Sequence, residues 1–146
     1  MNGSRSPLWR SANSAMTFER PNGIAFSPDE SLLYVNDTKK QQIFVFSVSK
    51  DKAAQKTGVF AEVDTSYGKG VVDGMKADIK GNIYVTGPGG IWVFSPDGNP
   101  LAVVYIPEPV GNLCFGGKDS KTLFITASAS VYSLKTGIPG IVPFRK

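Results

Sequence analysis

The chain has 146 residues, of which 41% are hydrophobic and 19% charged, values typical of one globular domain rather than a disordered segment. It contains no histidine and a single cysteine, which excludes imidazole-based catalytic triads, histidine-ligated zinc sites and any disulfide within the chain. Basic residues exceed acidic ones by four, but they are scattered among turns, so we predict a solvated surface and no nucleic-acid partner.

Strand patterns recur along the chain, and helix patterns are weak. Short apolar or alternating runs are separated by turn sequences such as Ser-Pro-Asp and Lys-Gly-Asn. The predicted strands are 24–27, 32–36, 43–48, 58–63, 75–79, 82–86, 91–95, 101–106, 112–116, 122–127 and 130–134. The polar segment 50–56 is predicted to be a hairpin loop, and the chain is predicted to be all-β.

The predicted strands form three similar groups of about 40 residues. Each group has a short apolar strand, a polar turn and a strand with an aromatic and a β-branched residue, as in GIAFSPDESLLYVNDT, GMKADIKGNIYVTG and NLCFGGKDSKTLFITAS. A strand that is apolar on both faces follows in each group and needs cover on both sides. Four-stranded units that pack face to face about an axis supply this cover, so we predict β-propeller blades. A β-sandwich is the alternative, but it would not explain the repeat.

Three blades are too few to close a propeller and would leave two broad apolar faces bare. The chain is therefore half of a longer one, or two copies complete six blades about a twofold axis. We predict the homodimer, with a tail or swapped strand in 1–17 and a half-propeller domain in 18–146, whose blades span about 18–66, 67–108 and 109–146. The third unit lacks an evident fourth strand beyond 141–144, and 15–18 is a candidate for supplying it.

At this point the sequence resembles a known family, that of senescence marker protein, gluconolactonase and luciferin-regenerating enzyme, whose members are six-bladed propellers. The resemblance covers about residues 18–137, the C-terminal half of a typical member. Three segments carry it. RPNGIAFSPDESLLYVNDT resembles the family's metal-binding asparagine segment, and VDGMKADIKGNIYVTG resembles its metal-binding aspartate segment. GNLCFGGKDSKTLFITAS resembles the signature of its closing blade. It implies a calcium- or zinc-dependent hydrolase of sugar lactones and related esters, with the ion at the central axis.

The resemblance assigns roles to three residues. Asn22 and Asp73 precede the inner strands of successive units and match metal ligands, and Asp73 is also the candidate catalytic base. Their hard oxygens favour calcium, with magnesium, manganese or zinc as alternatives. Asn112 matches a position near the axial channel and is predicted to line the substrate site. The simpler interpretation is that Asn22 and Asp73 only cap turns.

One departure from the family bears on function. The family's third ligand, a glutamate from its first blade, has no counterpart here, and Glu19 is out of place for it. In a twofold ring, two copies of Asn22 and Asp73 could converge on the axis instead. The alternative functions are a half-propeller that binds a small ligand or a protein without turnover, and a truncated product without activity of its own.

The remaining expectations concern single residues and location. Cys114 lies in an apolar run and is predicted to be a buried, inert thiol. Asp37 is expected to hydrogen-bond within a turn, and Tyr84 and Trp92 to be core residues. The segment 87–90 is predicted to be a hairpin turn, since no helix follows to make it a phosphate loop. No stretch is long and apolar enough for a signal peptide or a membrane span, which predicts a cytoplasmic protein with no membrane partner.

Overall fold

The computed structural model describes residues 18–51 and 54–143, which form eleven antiparallel strands and one 3₁₀ turn, Thr65–Tyr67. Each strand corresponds to a predicted one, which confirms the all-β expectation. In these two ranges no helix has the length and apolar character needed to span a bilayer. The strands are β1 Pro21–Phe26, β2 Leu32–Asp37, β3 Gln42–Val48, β4 Ala54–Glu62, β5 Met75–Ala77, β6 Ile83–Gly87, β7 Gly90–Phe94, β8 Pro100–Tyr105, β9 Val110–Gly116, β10 Thr122–Ala127 and β11 Val131–Lys135.

The strands form three sheets in which sequential neighbours pair. The first sheet contains β1 to β4, the second β5 to β8 and the third β9 to β11. Three packed sheets of this kind are consistent with a propeller-like fragment and not with a two-sheet sandwich. In each sheet the first strand (β1, β5 or β9) is called the inner strand here, because β5 contacts both β1 and β9.

The prediction of four strands in the third blade is wrong for the described residues, where the third sheet has three. After β11 the chain turns back instead of adding a strand. Gly140 forms a β-bridge with Asp78, and the Ile141 N–H donates to the Ala77 carbonyl over 3.0 Å. These contacts attach 138–141 to the end of β5. The candidate for the missing strand, 15–18, and the predicted tail or swapped strand, 1–17, lie outside the described residues except for Phe18.

Two strand boundaries and one turn show how local chemistry sets the sheets. β1 begins at Pro21 and not Ile24, because Pro21 already pairs with Asp37 at the end of β2. β4 begins at Ala54, so part of the predicted 50–56 loop belongs to the ladder with β3. The predicted turn at 87–90 is present as the hairpin between β6 and β7. Gly89 has a φ of 82° after a proline, the pattern of a type II turn.

The core consists of two apolar layers, one on each face of the second sheet. Tyr34, Met75 and Trp92 belong to the layer between the first and second sheets, and Tyr84 and Leu113 belong to the layer between the second and third. Every residue of β6 and β7 is buried, as expected for strands that are apolar on both faces. The core positions predicted for Tyr84 and Trp92 are confirmed, with 8% and 5% of each residue exposed.

Among the described residues no sheet lies against the outward face of the first sheet, which is exposed at β1, although Phe18 packs on Phe44 and Phe46 in β3. Ile24, Met75 and Leu113 are equivalent residues, because each pairs with the corresponding residue of its middle strand, Val35, Val85 or Ile125. Met75 and Leu113 are 1% and 3% exposed, whereas Ile24 is 59% exposed. The difference arises because Met75 and Leu113 face a preceding sheet and Ile24 does not.

The outward face of the third sheet shows the same effect from the other side. Val131 is 73% exposed, whereas its equivalents Ile43 and Ile91 are fully buried. Cys114 is an exposed free thiol on this sheet, so the prediction that it is buried is wrong. Its apolar neighbours in sequence predicted a core position, but the face that it occupies has no following sheet to cover it.

Candidate functional site

The three predicted site residues lie side by side at one end of the inner strands. Asn22 is in β1, Asp73 lies two residues before β5, and Asn112 is in β9. A Cβ atom added to Gly23 would overlap the Asp73 carbonyl oxygen, and one added to Gly74 would lie 2.7 Å from the Asn112 Cα. The inner strands therefore converge at this end. This convergence explains why glycine follows both Asn22 and Asp73 in the sequence.

The three residues are not equivalent in register. By the strand equivalence of Ile24, Met75 and Leu113, the position held by Asn22 and Asp73 belongs to Gly111 in the third sheet, and Asn112 lies one residue further along. The Gly111 carbonyl accepts a hydrogen bond from the Gly74 N–H over 3.1 Å. The third sheet therefore contributes backbone, and no side chain, at that position.

The polar atoms that remain available differ among the three residues. The Asn22 Nδ2 donates to the Thr38 hydroxyl over 3.2 Å, which leaves its Oδ1 without a partner among the described residues. The half-buried Asp73 carboxylate likewise has no hydrogen-bond partner in that part of the chain. The Asn112 Oδ1 accepts from the Leu113 N–H over 2.9 Å. The site thus presents an amide oxygen, a carboxylate and an amide NH₂ group.

Two buried polar residues that the sequence analysis missed connect these positions. Asn36 is fully buried, and Thr38 is 9% exposed. The Asn36 Oδ1 accepts from the Gly23 N–H over 2.9 Å, and its Nδ2 donates to the Asp73 carbonyl over 2.7 Å. The Thr38 hydroxyl donates to the Val72 carbonyl over 2.9 Å. The available sequence signal was an asparagine where the other two units have threonine, in Tyr-Val-Asn against Tyr-Val-Thr and Phe-Ile-Thr.

Asp37 has the turn role expected for it. Its buried carboxylate accepts hydrogen bonds from the backbone N–H groups of Glu19, Arg20, Lys39 and Lys40. Burial alone would raise the pKa of Asp37, but these four donors outweigh burial and lower the pKa below its ordinary value. Asp37 therefore ties the segment before β1 to the turn after β2.

The donors of this chain fit part of a hard-cation site. The described residues contain no group of three or more histidine, cysteine, aspartate or glutamate side chains that could hold a metal. Glu19 is exposed and pairs with Lys39 over 3.5 Å. The Asn22 oxygen and the Asp73 carboxylate are oxygen ligands of the type that calcium prefers. A six- to eight-coordinate ion would need further ligands beyond this pair.

An apolar cavity lies toward the opposite end of the inner strands. It has a volume of about 350 Å³. Its lining includes Phe26 at the end of β1, Ala77 at the end of β5, Phe115 in β9, and Ile141. Asn22, Asp73 and Asn112 are not part of it. We place the candidate chemistry at the polar end, because the cavity offers mainly apolar surface.

Comparison with known proteins identifies the family. The family model for the SMP-30/gluconolactonase/LRE-like region matches residues 9–129, which include the three candidate site residues. The chain belongs to this family. The resemblance inferred from the three sequence segments is thereby confirmed.

Several relatives of this chain are named for lactone hydrolysis or calcium binding. A gluconolactonase of Zymomonas mobilis is 38% identical over 125 residues, with 80% of this chain and 35% of the relative covered. A gluconolactonase structure from Xanthomonas campestris is 32% identical with a TM-score of 0.71, covering 84% of this chain and 39% of that one. A structure described as the calcium-binding protein regucalcin, from Agrobacterium tumefaciens, is 26% identical with a TM-score of 0.67, covering 84% and 47%.

The chain spans about a third to a half of the length of these relatives. The homologues named gluconolactonase place it in a family of lactone hydrolases.

Proposed function

We propose that this protein is a divalent-metal-dependent hydrolase of sugar lactones or related esters, with calcium as the first candidate ion. The observation that carries the proposal is a pair of oxygen ligands without partners among the described residues, the Asn22 amide oxygen and the Asp73 carboxylate, at the same end of adjacent inner strands. The gluconolactonases among the relatives support the substrate class. The calcium-binding relative supports the choice of ion.

Each residue has a distinct role in the proposed reaction. Asn22 and Asp73 hold the ion, which when bound polarises the lactone carbonyl as a Lewis acid. The Asp73 carboxylate accepts a proton from the attacking water as that water's oxygen bonds to the carbonyl carbon. The bond from that carbon to the ring oxygen then breaks, and the ring oxygen takes up the proton from the Asp73 carboxyl to give the open hydroxy acid. The Asn112 NH₂ group donates a hydrogen bond to a substrate oxygen.

We further propose that two copies complete the ring. The support is the contrast between equivalent residues: Ile24 is 59% and Val131 73% exposed, whereas their counterparts in the other sheets are 0% to 3% exposed. Head-to-tail contact of the two outward faces, made twice about a twofold axis, covers both faces. The assembly then has about twice the mass of the 15.6 kDa chain, which light scattering after size-exclusion chromatography measures. A monomer at every concentration refutes the closure.

The activity is tested with glucono-1,5-lactone in a pH-stat assay. We expect hydrolysis that EDTA abolishes and calcium restores. Asp73→Asn should lower kcat by roughly a hundredfold or more, the usual loss when a general base is removed. Asp97→Asn, a change of an exposed turn aspartate, serves as the matched control and should leave kcat unchanged. Hydrolysis that resists both EDTA and Asp73→Asn contradicts the proposal.

One observation favours the alternative of a binding module without turnover. Asp73 is the one carboxylate among the three candidate residues, and the family resemblance implies a further glutamate ligand for which the sequence offers no counterpart. A non-catalytic protein would be stabilised thermally by calcium or by a lactone, yet release no acid in the pH-stat. The two measurements together separate the two functions.

A further inference from the structure

We propose that Asn36 and Thr38 are positioning residues that set the spacing between Asn22 and Asp73. This inference rests on the proposed ion-binding function of that pair. The two candidate ligands belong to different sheets and lie 51 positions apart in the sequence. Some contact must therefore fix their separation if they are to bind one ion.

Asn36 makes the first link between the two chain segments. Its carboxamide is fully buried and uses one end on each segment, the Oδ1 on the Gly23 N–H and the Nδ2 on the Asp73 carbonyl. A Cβ on Gly23 would overlap both the Asp73 oxygen and the Asn36 Nδ2. The side chain therefore occupies a space that only glycine at position 23 leaves open, and a small displacement of either segment would break a buried hydrogen bond.

Thr38 makes a second link parallel to the first. Its hydroxyl accepts from the Asn22 Nδ2 and donates to the Val72 carbonyl, over 3.2 Å and 2.9 Å. The first bond has a chemical consequence, because it engages the nitrogen of the Asn22 amide and leaves the oxygen for an ion. Thr38 thus orients one candidate ligand and ties it to the residue that precedes the other.

The other sheets show that this arrangement is not a general requirement of the fold. The residues equivalent to Asn36 are Thr86 and Thr126, whose hydroxyls make single contacts of 3.4 Å with the carbonyls of Val71 and Asn112. Thr86 lies on the face of the second sheet that packs against the third, as its partner Ile91 does, so a threonine suffices at that boundary. Thr126 faces no further sheet among the described residues. The asparagine occurs at the one place where both neighbouring segments carry candidate ligands.

Calcium titration calorimetry tests the proposal with a set of matched variants. Asn36→Thr introduces the residue that the other two sheets carry, and Thr38→Val removes the hydroxyl while keeping the shape. Thr122→Val is the control, because Thr122 is a similarly buried threonine, 8% exposed, in the third sheet. Thr38→Ser restores the hydroxyl. Melting temperatures in EDTA report the structural cost of each change.

We expect Asn36→Thr and Thr38→Val to weaken calcium binding about ten- to a hundredfold, as is usual when a residue that orients a ligand is lost. Thr122→Val and Thr38→Ser should bind calcium like the wild type. Wild-type affinity in Asn36→Thr and Thr38→Val, while Asp73→Asn loses binding, overturns the positioning role and leaves the ion site standing. Equal weakening by Thr122→Val also overturns it. A wild-type protein that binds no calcium overturns the ion site and the positioning role together.

Discussion

Replacing Ile24 with glutamate tests ring closure at a residue that lies outside the two core layers of a single chain. Ile24 is 59% exposed, whereas its equivalents Met75 and Leu113 are 1% and 3% exposed. Complete burial of an isoleucine contributes about 1.5–3 kcal/mol, so closure that buries the exposed three fifths contributes roughly 1–2 kcal/mol. A twofold dimer contains this contact twice, so its total contribution is roughly 2–4 kcal/mol. Loss of both contacts should raise the dimer dissociation constant about 30- to 700-fold. A buried glutamate adds a desolvation cost, so the estimate is a lower bound.

Sedimentation equilibrium over a range of protein concentrations measures this shift. Leu101→Glu is the matched control, because Leu101 is 58% exposed and lies on β8, the outermost strand of the second sheet. We expect Ile24→Glu to dissociate the dimer without changing the circular dichroism of the monomer, and Leu101→Glu to leave the dissociation constant within about twofold of the wild type. Equal dissociation constants for Ile24→Glu and the wild type refute the reasoning, since the face would then remain uncovered in solution.

Three further predictions concern the stability of the single chain, each measured by urea unfolding. Gly23→Ala and Gly74→Ala should each lower the free energy of unfolding by about 1–3 kcal/mol, because the added carbon overlaps atoms of the neighbouring sheet. Gly111→Ala is the control and should leave the free energy of unfolding unchanged, since nothing lies within 4 Å of the added carbon. Equal losses in all three variants would contradict the convergence of the strands. The pKa of Asp37 is lowered in the folded state, so its carboxylate stabilises the fold above its ordinary pKa of 3.8. This contribution disappears as the pH falls through the lowered pKa. Asp37→Asn should therefore be less stable than the wild type at pH 7, and the difference in free energy of unfolding should shrink in acid. Burial, and then the charge of a neighbouring aspartate, raise the pKa of Tyr84 to about 12 from 10.0, so the wild type should lose stability between pH 10 and 12 in a way that Tyr84→Phe does not.

The strands could be predicted from sequence because each combines an apolar or alternating run with turn residues at both ends. The errors fall where pairing depends on residues elsewhere in the chain. Pro21 belongs to β1 because Asp37 pairs with it, and Ala54 belongs to β4 because Val48 continues the ladder. Neither residue has a strand signal of its own. Cys114 is exposed for a related reason. Its burial would need a further sheet against the third one, and the described residues contain no such sheet.

The candidate site could be predicted only in part. Asn22 and Asp73 stand out because a polar residue and a glycine precede an apolar strand in two successive units, and the family resemblance gives that pattern a meaning. Asn36 differs from the threonines of the other two units, but that difference does not reveal its function, because the carbonyl that it binds lies 37 residues away and the contact depends on the close approach of two sheets. Short-range patterns carry no information about such a contact.

The register of the inner strands constrains how an ion could be held in a closed ring. Because Gly111 occupies the position equivalent to Asn22 and Asp73, each copy contributes oxygen-bearing side chains from its first two sheets and none from its third. Around a ring of six sheets the order is therefore asparagine, aspartate, glycine, then the same again. In the proposed ring, the two Asn22–Asp73 pairs would face each other across the axis, with glycine between them on both sides. Asn36 and Thr38 link the two members of a pair within one chain, so the pair is the unit whose geometry a single chain determines.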